Sequence, residues 1–201
     1  MGGVAGHMAH LYDDLSLTYN QVKKILSAAS RGELEGTEKT DGYNIFLGYV
    51  DGRARAARNK GDIKKGGMDF AALSAREYKG GPEVRNIYLN SFGAYEKALA
   101  SLSEQDLAVI FGPDGEIFYN AEIQGPGASN VVNYDANVIS IHHVGHKKYD
   151  PQIGKIEDYA ASEESAFLDK LIDQFEEVLQ DEKFAVRRTA ALQLNKLDSD
   201  H

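Results

Sequence analysis

Hydrophobic positions change their period several times along this chain, and each change marks an element. Thr18 and Gln21 have the form of a capping box, and Val22, Ile25, Leu26 and Ala29 then recur at helical spacing until Gly32, so the pattern predicts a helix over residues 18–32. Asn44 to Val50 is a mostly apolar run, Asp51-Gly52 is a two-residue hairpin signal, and Arg53 to Asn59 reads as the returning strand. That turn pairs Val50 with Arg53 and Ile45 with Arg58. Side-chain alternation then places Arg58 on the face of the odd positions Lys39, Asp41 and Tyr43.

From Gly61 to Gly81 the chain is rich in glycine and lysine and shows little periodicity, which predicts a long loop or small insertion of the kind that can act as a lid. Ser91 to Leu102 follows as a helix with Phe92, Tyr95, Ala98 and Leu102 on one face. Leu107 to Phe111 and Ile117 to Ile123 read as a second hairpin about Pro113-Asp114-Gly115, and Ile139 to Val144 as a further strand. Near the end, Phe167, Leu168, Leu171, Ile172, Phe175, Val178 and Leu179 make one apolar stripe on a helix that Ser162 can cap, with Glu163 and Glu164 in its first turn. The stripe predicts core packing with a solvated outer face. Strands interrupted by helices give an α+β fold, divided into a core over residues 1–156 and an acidic helix with its tail over 157–201.

Composition narrows the function classes. The chain has 201 residues, 42% of them hydrophobic, which is enough for one ordinary core and an appendage. No cysteine is present, so disulfides and thiolate metal sites are excluded. No apolar run approaches the ~18 residues of a membrane span, and the start has no signal-peptide pattern; the expectation is a cytoplasmic protein without a membrane partner. The formal net charge of −9 argues against indiscriminate binding to nucleic acid. Charge is unevenly spread, however. Residues 157–182 hold ten acids and one base, whereas residues 39–65 hold seven bases (Lys39, Arg53, Arg55, Arg58, Lys60, Lys64, Lys65) against three acids (Asp41, Asp51, Asp62). A basic island in an acidic chain suits a polyphosphate.

The candidate chemistry lies in that island. Glu38-Lys39-Thr40-Asp41-Gly42-Tyr43-Asn44 is a Lys-x-Asp-Gly run leading into an apolar strand. Ala57-Arg58-Asn59-Lys60-Gly61 follows by one hairpin, and Tyr119-Asn120-Ala121-Glu122-Ile123-Gln124-Gly125-Pro126-Gly127 and Ile139-Ser140-Ile141-His142-His143-Val144 come later. Taken in this order, the segments resemble the covalent nucleotidyltransferase superfamily, the adenylation domain of ATP-dependent RNA and DNA ligases. With Gly6-His7-Met8-Ala9-His10-Leu11-Tyr12 at the start, they are similar to an uncharacterised family of tailed-phage ligase-like proteins. The likeness covers roughly residues 1 to 150.

The resemblance implies an antiparallel-rich mixed sheet, ATP-grasp-like, with flanking helices. It implies ATP, or less readily GTP, with Mg²⁺ as cofactors, RNA or DNA ends as partners, and a phage-infected bacterial cell or a virion as the location. It makes Lys39 the nucleophile, with Asp41, Arg58 and Glu122 in the catalytic set. Glu38, Lys39, Asn44, Arg58, Lys60, Glu122 and His142 become the nucleotide ligands, Glu122 on the ribose and His142 beside the purine. Lysine titrates near ~10.4, so attack at neutral pH requires burial or neighbouring positive charge, which the island can supply. Lys39 and Arg58 would stand about 20 Å apart on an unbent strand at ~3.3 Å per residue, so a bend at Gly42 is needed to bring both to one nucleotide.

Other readings compete at particular residues. Arg53 and Arg55 read as solvated strand residues, and Gly125-Pro126-Gly127 as a simple turn. His142, His143 and His146 invite a metal-site reading, but it is the weaker one beside a contact to the purine, because adjacent strand residues face opposite ways and no cysteine joins them. Two later ligase elements are missing as motifs. The one Glu-Gly dipeptide, Glu35-Gly36, precedes the lysine, and Lys147, Lys148, Lys155, Lys183, Arg187, Arg188 and Lys196 lack the expected strand context. The alternative function is therefore a catalytically incomplete phage structural or accessory protein that binds nucleotide or nucleic acid through the same fold, or the front part of a longer enzyme with weak turnover.

Overall fold

The computed structural model describes residues 14–37, 42–127, 135–142, 144–150, 152–160, 165–179, 184–189 and 191–193. Glu38, Lys39, Asp41, His143, Ser162, Glu163 and Glu164, along with the opening Gly6 to Tyr12 segment, lie outside the described residues. The chain forms two compact units, residues 1–39 with 189–201, and residues 40–188.

In the first unit, α1 (Tyr19–Ser30) begins where the capping box requires. Gln21 N donates to Thr18 Oγ1 and Thr18 N donates to Gln21 Oε1 at 2.8 Å. A short strand, β1 (Glu35–Thr37), pairs antiparallel with β9 (Ala191–Gln193), Gly36 opposite Leu192.

The second unit is built on a seven-stranded sheet. Its first hairpin joins β2 (Tyr43–Val50) to β3 (Arg53–Ala57) in the expected register, Val50 opposite Arg53. Asp51 and Gly52 both have positive φ, 52° and 71°, as a two-residue turn with the right twist demands. The chain bends at Gly42, where an added Cβ would stand 2.8 Å from the Ile123 carbonyl oxygen; the bend brings backbone against backbone. β4 (Ile117–Gln124) pairs with the other edge of β2, β5 (Asn137–His142) pairs with β4, and β8 (Phe184–Thr189) flanks β5, for an order β3-β2-β4-β5-β8. β6 (Val144–Asp150) pairs with the start of β4, and β7 (Lys155–Ala160) pairs with β6.

Odd positions of β2, β4 and β5 face a helical layer. Ile45, Leu47, Tyr119, Ala121, Ile123, Ile139 and Ile141 share one apolar core with Tyr88, Phe92, Tyr95 and Leu99 of α4 (Gly81–Ala100) and with Leu171 and Phe175 of α6 (Ser165–Leu179). Phe175 stacks on Tyr95 with ring centroids 5.8 Å apart, while Asp169, Asp173, Glu176 and Glu177 are exposed. The acidic helix thus covers the core with its apolar stripe, as the pattern predicts.

Three expectations need correction. Of the two readings of residues 61–81, a long loop or a small insertion, the loop gives way to an insertion with helices of its own. The segment carries α2 (Lys60–Lys64), capped by Asn59, and α3 (Phe70–Ser74), capped by Asp69, with Ala56 bridged to Met68 between them. Short helices of five residues leave too few apolar positions to show a period, but they bury Ile63 and Leu73 completely. Secondly, α4 starts at Gly81 rather than near Ser91, with Pro82 in its first turn. Thirdly, residues 107–111 belong to a helix, α5 (Glu104–Phe111). Ser103 accepts from Asp106 N at its cap, and Leu107, Ile110 and Phe111 fall on one helical face. A five-residue apolar run has no periodicity that separates strand from buried helix, and the cap decides.

Arg55, expected in solvent, is folded in: its side chain is 20% exposed and its Nη1 lies 4.0 Å from Asp69 Oδ2. The late basic residues also have a strand context after all. Lys147 and Lys148 lie on β6, Lys155 on β7, and Arg187 and Arg188 on β8; Lys183 and Lys196 are outside the described residues.

Two buried tyrosines tie α4 to β2. Tyr88 Oη donates to the Asn44 carbonyl and Tyr95 Oη to the Gly48 carbonyl, both at 3.0 Å. Burial pushes the Tyr88 phenol up to about 12, and the Tyr95 phenol well above its ordinary value, because the phenolate loses its hydration. The raised value means that the folded state holds these protons more tightly than the unfolded chain does. Their contribution is complete below pH ~10 and is lost as pH rises through the folded value. For Tyr88 alone, a rise to about 12 corresponds to roughly 3 kcal/mol. Stability measured by urea denaturation should be level through pH 9 and fall steeply between pH 10 and 12, and Tyr88→Phe should flatten the fall.

Candidate functional site

The even positions of the sheet build a different surface. In β2, β4 and β5, Asn44, Glu122 and Ser140 form one row, since Asn44 pairs with Glu122 and Glu122 with Ser140. Asn120, Gln124 and His142 are two residues from members of that row and so share its face. Asn44 Nδ2 donates to Asn120 Oδ1 at 2.5 Å, and His142 Nε2 stands 3.9 Å from Glu122 Oε1. Asn120, Gln124, Ser140 and His142 are all buried, and Glu122 retains 19% of its side-chain exposure.

Within this row Ser140 Oγ is buried with no hydrogen-bond partner among the described residues. A polar group removed from water costs about 1–3 kcal/mol when no partner replaces it. The group of a carboxylate, an imidazole, three amides and a hydroxyl offers acceptors for a vicinal diol and both donors and acceptors for a heterocyclic base.

The sequence-predicted residues therefore separate into sets. Asn44, Glu122 and His142 come together. Arg58 lies on the opposite, helix-bearing side of the sheet, its guanidinium carbon 4.5 Å from the Tyr88 ring centroid and 5.5 Å from that of Tyr78. Tyr43 is on that side too, with its ring 6.0 Å from Tyr88, so the predicted sharing of a face by Arg58 and Tyr43 holds. The convergence of Arg58 with Glu122 does not. The reason is parity: Arg58 continues the register opposite Ile45, an odd position, whereas Glu122 pairs with Asn44, an even one. Lys60 is exposed as the first residue of α2.

No protein-family model, curated protein or solved structure matches this chain. The site accordingly rests on its own geometry.

Sequence reasoning missed Asn120, Gln124 and Ser140. The signal for two of them was present, because Asn120, Glu122 and Gln124 alternate with Tyr119, Ala121 and Ile123 at a strict period of two. Ser140 becomes visible only through its pairing with Glu122. Among the described residues, no group of three or more His, Asp or Glu side chains is placed to hold a metal ion. Glu122 is the acidic oxygen donor of the polar face, which fits a Mg²⁺ ion whose ligands are mostly phosphate and water, since that ion commonly takes one or two carboxylates from protein.

Proposed function

We propose that this protein is a nucleotidyltransferase of the ATP-dependent ligase type. The observation that supports it best is the row Asn44, Glu122, Ser140 with His142 beside it, on three hydrogen-bonded strands. Three segments that resemble ligase motifs, far apart in sequence, meet there on one sheet face. In this reading Glu122 accepts hydrogen bonds from the ribose hydroxyls and His142 borders the base. Lys39, as a neutral amine, attacks the α-phosphorus of ATP; a P–N bond forms, the bond to the β-phosphate oxygen breaks, and pyrophosphate leaves as the amine gives up its proton to solvent. Mg²⁺, bound chiefly through the phosphates, would supply charge to offset that of the leaving pyrophosphate. AMP then passes to the 5′-phosphate of an RNA or DNA end. Placement of Arg187 and Arg188 on β8, beside β5, supplies late basic residues in a strand, which also favours this reading.

One observation favours the alternative, a phage accessory protein that binds nucleotide without chemistry. Arg58, the second motif residue, faces the helical layer and not the polar row. A single experiment separates the two: incubate the purified chain with α-labelled ATP or GTP and Mg²⁺, then resolve it on a denaturing gel. A covalent adduct is expected. Saturable nucleotide binding without an adduct would select the accessory role, and neither would remove both.

Glu122→Gln keeps the shape but removes the charge. Hydrogen bonds to ionised groups contribute about 1.5–3 kcal/mol, so the variant should bind ATP roughly 10- to 100-fold more weakly by calorimetry. An affinity unchanged from the parent would take Glu122 out of the site.

A further inference from the structure

The helix-bearing side of the sheet has a cavity of about 480 Å³ lined by Tyr43, Arg58, Asn59, Arg76, Glu77 and Lys79. Its charges are unequally satisfied. Arg76 Nη1 donates to Asp62 Oδ2 at 2.9 Å, and the same oxygen accepts from the Arg58 backbone N at 3.0 Å, so Asp62 is neutralised and pins the floor. Arg85 is engaged with Ser74, through Nε to the carbonyl and Nη2 to Oγ. Arg58 differs. Its guanidinium is laid against two tyrosine rings, yet its Nε is buried with no hydrogen-bond partner, and no acceptor reaches its other nitrogens among the described residues.

Aromatic faces stabilise the plane of a guanidinium but leave its N–H edge, a fork of donors, unanswered. A partly buried cation with an empty donor edge is a poor structural element and a good anion receptor. Lys79 stands at the same cavity as an exposed cation, opposed by the single carboxylate of Glu77. With Arg76 and Asp62 cancelling, the lining keeps a net positive charge in a chain whose own balance is −9. Tyr43 adds a ring at the wall.

We propose that this cavity binds a phosphate group of a nucleic-acid strand, at a site separate from the polar row on the opposite sheet face. The Arg58 fork takes two phosphate oxygens, Lys79 adds a point charge, and Tyr43 offers a surface for a neighbouring base. The volume exceeds what a lone phosphate fills and leaves room for the groups attached to it.

The test is fluorescence anisotropy of a labelled single-stranded 12-mer, as RNA and as DNA, titrated with the full chain between 50 and 200 mM KCl. Lys79→Glu should weaken binding at least fivefold and lower the log–log salt slope by about one, the loss of one phosphate contact. Arg58→Gln should weaken it further, with circular dichroism confirming its fold. Lys24→Glu, an exposed charge change on α1, should have no such effect. Inorganic tripolyphosphate serves as competitor. Binding of tripolyphosphate that depends on Lys79, with no binding of the 12-mer, would keep the phosphate cleft and assign it to free polyphosphate. Equal behaviour of Lys79→Glu and Lys24→Glu towards both probes overturns the proposal. Glu122→Gln should leave strand binding intact while ATP binding falls, and Lys79→Glu should leave the covalent adduct intact, so failure of either site is read independently of the other.

Discussion

Tyr95→Ala should remove most of the stability of the second unit. The side chain is 1% exposed, packs against Phe92, Phe111 and Phe175 with centroids 5.8 to 6.4 Å away, and donates its hydroxyl proton to Gly48 in the middle of β2. Truncating a buried aromatic to alanine costs about 3–5 kcal/mol through lost transfer energy and the cavity left behind. Loss of the hydrogen bond adds about 1 kcal/mol. Domains of ordinary size hold only ~5–15 kcal/mol, so the variant should be largely unfolded at 37 °C or show a sharply lowered urea midpoint. Tyr95→Phe isolates the hydroxyl and should cost only about 1 kcal/mol. A loss below ~1.5 kcal/mol for the alanine variant would mean that α4 is not seated on the sheet as described.

Lys39→Ala should abolish the covalent nucleotide adduct. The proposed chemistry has one nucleophile, and no other amine in the Lys-x-Asp-Gly segment can replace it. The expected loss is total within detection on a denaturing gel, whereas noncovalent ATP binding through Glu122 and its neighbours should persist within about tenfold of the parent. A retained adduct would place the nucleophile at another lysine, which peptide mapping would locate. Because loss of adduct could also follow from unfolding, the thermal midpoint of the variant should match that of the parent.

Where a local signal was strong, it was sufficient for the local structure. The Thr18 capping box, the Asp51-Gly52 turn, the apolar stripe of α6 and the apolar run of β2 each involve residues within a few positions of one another, and each appears in the structure as its pattern requires. The register of the first hairpin follows from its two-residue turn alone. Short elements escaped. Five-residue helices such as α2 and α3, and the apolar run of α5, span too few turns for a period to declare itself, and their capping bonds and burial settle their form.

What the tertiary structure decided is which side of the sheet each functional residue occupies. The motif order along the chain placed Arg58 and Glu122 in one site, but order carries no parity. Only the pairing of β4 with β2, Asn44 opposite Glu122, puts the carboxylate on the face away from Arg58, because strand side chains alternate and a pairing chosen across about 75 residues is set by core packing rather than by any nearby turn. The same long-range pairing brings Ser140 into the row and leaves the Arg58 guanidinium between Tyr78 and Tyr88. The sequence by itself therefore determined the longer patterned elements, the basic island and part of the candidate set; the short helices, the start of α4, the place of Ser140 and the division into two faces, with its two separate candidate sites, belong to the fold.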